Sequence, residues 1–170
     1  MSVVSPSHRL TVPCGKCGAC LHNKRTEWSF RLSMENKTAK SADFVTLTYE
    51  DDKLPIYQRS TNPIPFKSYQ LLVENLTESE KKDQLNNRPT VVKSDCQNFL
   101  KRLRQYQKRN GNNDTIRYYL VAEYGETTQR PHYHMIVFNL DRNTVENLAQ
   151  IWGKGHVHID EVNDNTIHYT

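Results

Sequence analysis

The sequence predicts an α+β domain built on a central, mainly antiparallel sheet of about five strands with flanking helices. Two observations carry that expectation. Short runs rich in β-branched and aromatic residues, at 44–49 (FVTLTY), 116–124 (IRYYLVAEY) and 132–138 (HYHMIVF), alternate with segments of helical periodicity. The connection between the second and third runs is also too short for a parallel crossover, which makes them a hairpin. With 170 residues the chain can bury one real core but not two, so a single domain over 1–170 is expected.

Taken in order, the cysteine-rich stretch at about 10–22 contains VPCGKCGAC and is expected to be irregular. Residues 24–40 set Trp28, Leu32 and Glu35 against Lys24, Arg25 and Arg31, the pattern of an amphipathic helix with a basic flank. After the strand at 44–49, a polar, proline-bearing insertion at about 50–93 shows no sustained period and is expected to be ordered at most in part. Ser94 and Gln97 have capping-box spacing, and Phe99, Leu100, Leu103 and Tyr106 then fall on one helical face. GNND at 111–114 ends that helix. Beyond the hairpin, Val145, Leu148 and Trp152 mark another helix and GHVHID at 155–160 a further strand. NDNTIHYT at 163–170 reads as the first turn of a final helix.

Hydrophobic residues make up 36% and charged residues 25%, so much of the surface is given to solvent or to a hydrophilic partner. The net charge of +4 is compatible with a polyanionic partner. No apolar run approaches a membrane span, and MSVVSPSHRL lacks the apolar core of a signal peptide. A cytosolic setting without membrane association is expected. There, the close spacing of Cys14, Cys17 and Cys20 favours metal or redox chemistry over disulfides, with free thiols packed in a turn as the alternative. Zinc is the candidate, with His22 or Cys96 as fourth ligand.

His132 and His134 are one residue apart on a strand, so both imidazoles point to one face. Two nitrogens alone bind a divalent ion weakly. Alternation puts Tyr119, Val121 and Glu123 together, and the hairpin can bring Glu123 beside the histidines as a third ligand with coordination positions left open. A second pair, His156 and His158, has the same spacing, but it lies in a polar strand flanked by glycines, and a structural edge or a nucleic-acid contact explains it better.

RPHYHMIVF following YLVAEYG, with FVTLTY upstream and QNFLKRLR between, resembles the HUH endonucleases that initiate rolling-circle replication. Within that superfamily the chain is most similar to the replication initiators of small single-stranded DNA phages, the gokushovirus-type microviruses. The resemblance runs from Val12 to Tyr169 and is weakest across the insertion. It implies an HUH, ferredoxin-like fold, Mn²⁺ or Mg²⁺ held by Glu123, His132 and His134, and sequence-specific nicking and joining of single-stranded origin DNA. A helical tyrosine would form a 5′-phosphotyrosine and release a 3′-hydroxyl. Tyr169 in NTIHYT fits that tyrosine, while the family's second tyrosine and lysine do not follow it, so the chain is expected to be a nuclease domain cut short within the tyrosine helix.

The resemblance further implies a bacterial host cytoplasm and a host helicase or polymerase as partner. Lys101, Arg102, Arg104, Lys108 and Arg109 would supply phosphate contacts, with Tyr49 and Arg130 flanking the metal site as further DNA contacts. Two other functions compete: a non-catalytic module binding single-stranded nucleic acid, and a zinc-stabilised interaction domain whose histidine pairs are structural.

Overall fold

The computed structural model describes residues 12–58, 61–65, 89–163 and 166–167. Its strands are β1 (Ala42–Thr48), β2 (Pro55–Gln58), β3 (Thr61–Pro65), β4 (Arg117–Tyr124), β5 (Pro131–Phe138) and β6 (Val157–Glu161). Its α-helices are α1 (Gly18–Thr38), α2 (Lys93–Arg109), α3 (Arg142–Glu146) and α4 (Leu148–Trp152). Four strands form one antiparallel sheet in the order β4-β5-β1-β6, while β2 and β3 pair apart from it as a hairpin. β1 and β4 run in the same direction with β5 between them. With α2 linking β1 to β4, this is the split β-α-β arrangement of ferredoxin-like folds. The expected α+β architecture stands, with four strands in the main sheet and two more in the hairpin.

Strand alternation sorts the sheet into a dry face and a polar one. Val45, Leu47, Tyr133, Met135 and Val137 point to the dry face, where they pack with Phe99, Leu100 and Leu103 of α2 and Leu148 and Trp152 of α4. Fully burying one such side chain contributes roughly 1.5–3 kcal/mol. The Trp152 indole also donates to Thr48 O at 2.8 Å, which pins the end of β1 to α4. On the other face Phe44, Ile136 and Phe138 form a smaller core with Leu32 of α1 and Ile167.

Two local expectations need correction. The cysteine segment is not wholly irregular, because α1 begins at Gly18 with Cys17 in the N-cap position. Ser94 does not cap α2: the helix starts at Lys93 behind Val92, without a side-chain cap, and Asp95 supplies the favourable first-turn charge. At the front of the insertion, Leu54 and Ile56 are buried in the main core. Of the expected final helical turn, Thr166 and Ile167 are described, and both are helical. Asn163 Oδ1 accepts from Thr166 N at 3.0 Å and Thr166 Oγ1 accepts from Asn163 N at 2.8 Å, a reciprocal cap.

Candidate functional site

At one end of the polar face, β4 and β5 bring the predicted ligands together. Pairing sets Glu123 directly opposite His132, and Val121 opposite His134. Glu123 Oε1 lies 2.8 Å from His134 Nε2. The other ring nitrogen, His134 Nδ1, is 3.0 Å from Thr46 Oγ1 on β1. Phe44 stacks on the same ring with centroids 5.7 Å apart. The imidazole is thus held by a carboxylate, a hydroxyl and an aromatic face, the kind of surrounding contacts that orient metal-binding histidines.

His132 is half-buried, and its ring centroid lies 6.4 Å from that of His134. Burial first, then the neighbouring His134, push its pKa below the usual histidine value, against the opposing pull of Glu123. The lowered value keeps the ring neutral, with a lone pair free for an ion. Gly125 makes room for it: a Cβ there would sit 3.0 Å from His132 Nε2. The turn is closed by Gly125 N donating to Arg130 O at 2.9 Å. Within this set His134 is buried, with both ring nitrogens engaged, while His132 is half-buried and Glu123 partly exposed. Among the described residues, Cys14, Cys17 and Cys20 are the group whose ligand atoms all lie within 4.8 Å of one another. Glu123 and the two histidines have the donor chemistry for an ion, and gathering around one requires His132 to approach and the Glu123–His134 contact to open.

The cysteine cluster could hold a metal ion. Its thiols sit at the N-terminus of α1, where backbone N–H groups of Lys16 and then Cys17 lower the Cys14 pKa to about 7. A thiol so readily ionised is a better ligand than an ordinary one. Cys96 is not part of this cluster. It is buried in the dry core, and desolvation raises its pKa to about 12. His22 is exposed on α1.

The cations and aromatics expected to meet DNA divide into two groups. Tyr49 is 2% exposed, its hydroxyl donating to Asp95 Oδ2 at 2.8 Å and lying 3.0 Å from the Tyr133 hydroxyl. It is a packing residue, and burial raises its pKa. Arg102 donates to Ile151 O and Trp152 O, so it caps the end of α4 rather than waiting for a phosphate. Arg130 donates to Tyr49 O and pairs with Asp51, tying the β4–β5 turn to the end of β1. Lys101 and Arg104 are exposed on α2, and the Arg104 guanidinium lies over the Tyr118 ring at 5.5 Å. Tyr106 packs against the core. Tyr169 lies outside the described residues.

Register adds two facts that spacing alone did not reveal. Thr46, the hydroxyl that holds His134, was legible only as a polar position within a β-branched run. His158 pairs opposite Thr46, so the second histidine pair shares the polar face, exposed and joined to Asp160 at 3.1 Å.

A ferredoxin-like α+β domain with imidazoles and a carboxylate grouped on the polar face of its sheet is the class that the fold and site define. Residues 42–170 match the family model for the replication-associated protein ORF2 family, and the chain belongs to that family. It is 31% identical to replication-associated protein ORF2 of Spiroplasma virus 4, over 94% of this chain and 46% of that protein. It is 24% identical to replication-associated protein ORF4 of Chlamydia phage 1, over 93% of this chain and 36% of that protein. Replication-associated protein VP4 of Bdellovibrio phage phiMH2K is 26% identical over 75% of this chain and 31% of its own length. The chain therefore spans less than half the length of these relatives. No solved structure matches it. Among the described residues no helix is long and apolar enough to cross a membrane.

Proposed function

We propose that this chain is the nicking and joining domain of a phage replication initiator, acting on single-stranded origin DNA in the cytoplasm of a bacterial host, with a host helicase or polymerase as partner. The observation that carries the reading is the placement of Glu123, His132 and His134 side by side on the polar face, with the His134 ring held in place by Thr46. Mn²⁺ or Mg²⁺ suits the mixed imidazole and carboxylate set, and when bound it stabilises the charge that develops on the scissile phosphate.

The nucleophile in this reading is Tyr169. Its phenol oxygen attacks phosphorus, the P–O3′ bond breaks, and the 3′-oxygen takes a proton and leaves as a hydroxyl. The ester conserves the bond energy, so a 3′-hydroxyl can later displace the tyrosine and reseal the strand. Support for drawing the nucleophile from this segment comes from Ile167, which belongs to the small core with Phe44 and Ile136, on the sheet face that carries His134. Zinc at Cys14, Cys17 and Cys20, with His22 as fourth ligand, is a second and structural metal in the proposal.

The test is incubation with single-stranded origin DNA and Mn²⁺, followed by a denaturing gel. A covalent adduct is expected, lost with EDTA and lost in Tyr169→Phe. An adduct that persists in Tyr169→Phe rejects that tyrosine as sole nucleophile, and one that persists in the His132→Ala, His134→Ala double variant rejects the metal site. Binding of the DNA with no adduct under any condition would favour the non-catalytic module.

A further inference from the structure

Resting on the reading of this chain as a single-strand DNA enzyme, we propose that a cleft around the outer edge of β4 binds the DNA strand flanking the segment held at the histidine cluster. The cleft encloses about 510 Å³ and opens where α1 and α2 approach that edge strand from opposite faces. Over the buried Phe138, its lining includes the aromatic rings of Trp28, Tyr118 and Tyr119 and the guanidinium groups of Arg31, Arg104 and Arg117.

These six side chains are interleaved rather than merely close. Arg31 lies over the Trp28 ring at 5.2 Å and Arg104 over the Tyr118 ring at 5.5 Å. Trp28 and Tyr119 are tilted against each other with centroids 4.9 Å apart. Among the described residues, the acidic side chain lining the cleft is Glu35, which is ion-paired with Arg117. Arg31 also pairs with Glu27, one turn earlier on α1, and with both carboxylates counted the cleft still keeps a positive excess. Trp28 remains 36% exposed and Tyr118 45% exposed. Large rings that served only to pack would be covered, whereas open rings beside cations suit unpaired bases and the phosphates between them. A base has a π-face whatever its identity, so this cleft adds affinity without reading sequence.

Position connects the cleft to the candidate site. Tyr119 and Glu123 lie four residues apart on the same face of β4, about 13 Å at the rise of a strand. A single strand crossing the histidine cluster spans that distance with a few nucleotides.

The test uses the full chain with no added Mn²⁺ or Mg²⁺, so that nothing depends on cleavage and zinc at the cysteine cluster is retained, with a fluorescein-labelled twelve-residue oligo-dT as probe. Trp28 and Trp152 are the two tryptophans, and Trp152 is 1% exposed, so quenching of the emission reports on Trp28. Quenching by oligo-dT is expected, with none from a duplex of equal length. Arg31→Ala and Arg104→Ala should each lower the slope of log affinity against log salt by about 0.7, as loss of one phosphate contact does on single strands. Trp28→Leu should weaken binding roughly 5- to 100-fold, the worth of a stacked base. Each variant is checked by circular dichroism for a native fold.

Unchanged affinity and salt slope in Arg31→Ala, Arg104→Ala and Trp28→Leu would overturn the proposal. So would equal quenching by the duplex, and tenfold tighter binding of oligo-rU would overturn the assignment to DNA. The two readings separate cleanly. Quenching with no Mn²⁺-dependent adduct keeps the cleft and rejects nicking, while an adduct formed with unaltered affinity in the three variants does the reverse.

Discussion

Strand β5 sends Tyr133, Met135 and Val137 into a core closed by α2 and α4, and sends His132 and His134 to the opposite, polar face, where His134 is buried and His132 half-buried. The same eight residues therefore serve two environments. On the dry face even the polar atoms are committed: Tyr133 Oη accepts from Val92 N at 2.7 Å and lies beside the Tyr49 hydroxyl, which in turn donates to Asp95. On the polar face His134 is likewise buried, with Thr46 and Glu123 on either side of its ring, while His132 and Glu123 keep part of their surface exposed. The close packing behind the strand fixes the backbone from which these candidate ligands project.

The largest effect should come from opening the dry face. Trp152→Ala removes the largest fully buried side chain and its bond to Thr48 O, and a loss of about 3–5 kcal/mol in denaturant unfolding is expected. Weaker destabilisation than about 1 kcal/mol would mean that α4 does not brace β1. On the other face, Thr46→Val keeps the shape and removes the hydroxyl beside His134 Nδ1. Mn²⁺ affinity measured by calorimetry should fall about 10- to 100-fold with little change in melting temperature. An unchanged affinity would sink Thr46 as the orienting group.

Tyr49→Phe separates the faces more finely. It takes a buried hydroxyl away from Asp95 and Tyr133, at an expected cost of about 1–3 kcal/mol in stability. Affinity for an oligonucleotide should not change, since the ring never reaches the surface. Weaker oligonucleotide binding with unaltered stability would restore Tyr49 as a DNA contact.

How much of this was legible in the sequence follows from the distance over which each feature is determined. The side of β5 on which His132 and His134 lie, and their grouping with Glu123, follow from a two-residue period and a short hairpin, and the register of β4 with β5 agrees with that reading. The fate of the cations does not follow locally. Arg102, Arg104 and Arg130 look alike as basic residues near the expected site. Arg102 is taken up by the end of α4 and Arg130 by the end of β1, contacts 49 and 81 residues away. Tyr49 looked like an exposed aromatic flanking the site, because nothing near it in sequence announces Asp95 or Tyr133. The cleft at the edge of β4 was invisible for the same reason, as Trp28, Arg104 and Tyr118 come from three elements.

The smallest and most local contrast lies between two cysteines. Cys14 is exposed with its pKa lowered to about 7 by backbone N–H groups, while desolvation, and next the nearby Asp95 charge, raise that of Cys96 to about 12. Iodoacetamide at pH 7.5 should therefore modify Cys14 within minutes, since the thiolate is the reactive form, and should leave Cys96 intact until the chain unfolds. Zn²⁺ added first should protect Cys14, Cys17 and Cys20 together if they form one site. The raised value at Cys96 also carries a stability sign. The folded state favours the neutral thiol, so its contribution is fully present below the ordinary pKa of 9.0 and is lost as pH rises from there towards about 12. Cys96→Ala should flatten the alkaline limb of the stability profile between those values, at the cost of a small cavity beside Tyr133. An alkaline limb of the same steepness in both proteins would assign that loss to other groups, and alkylation of Cys96 in the native chain at pH 7.5 would show that the dry face opens far more often than its packing implies.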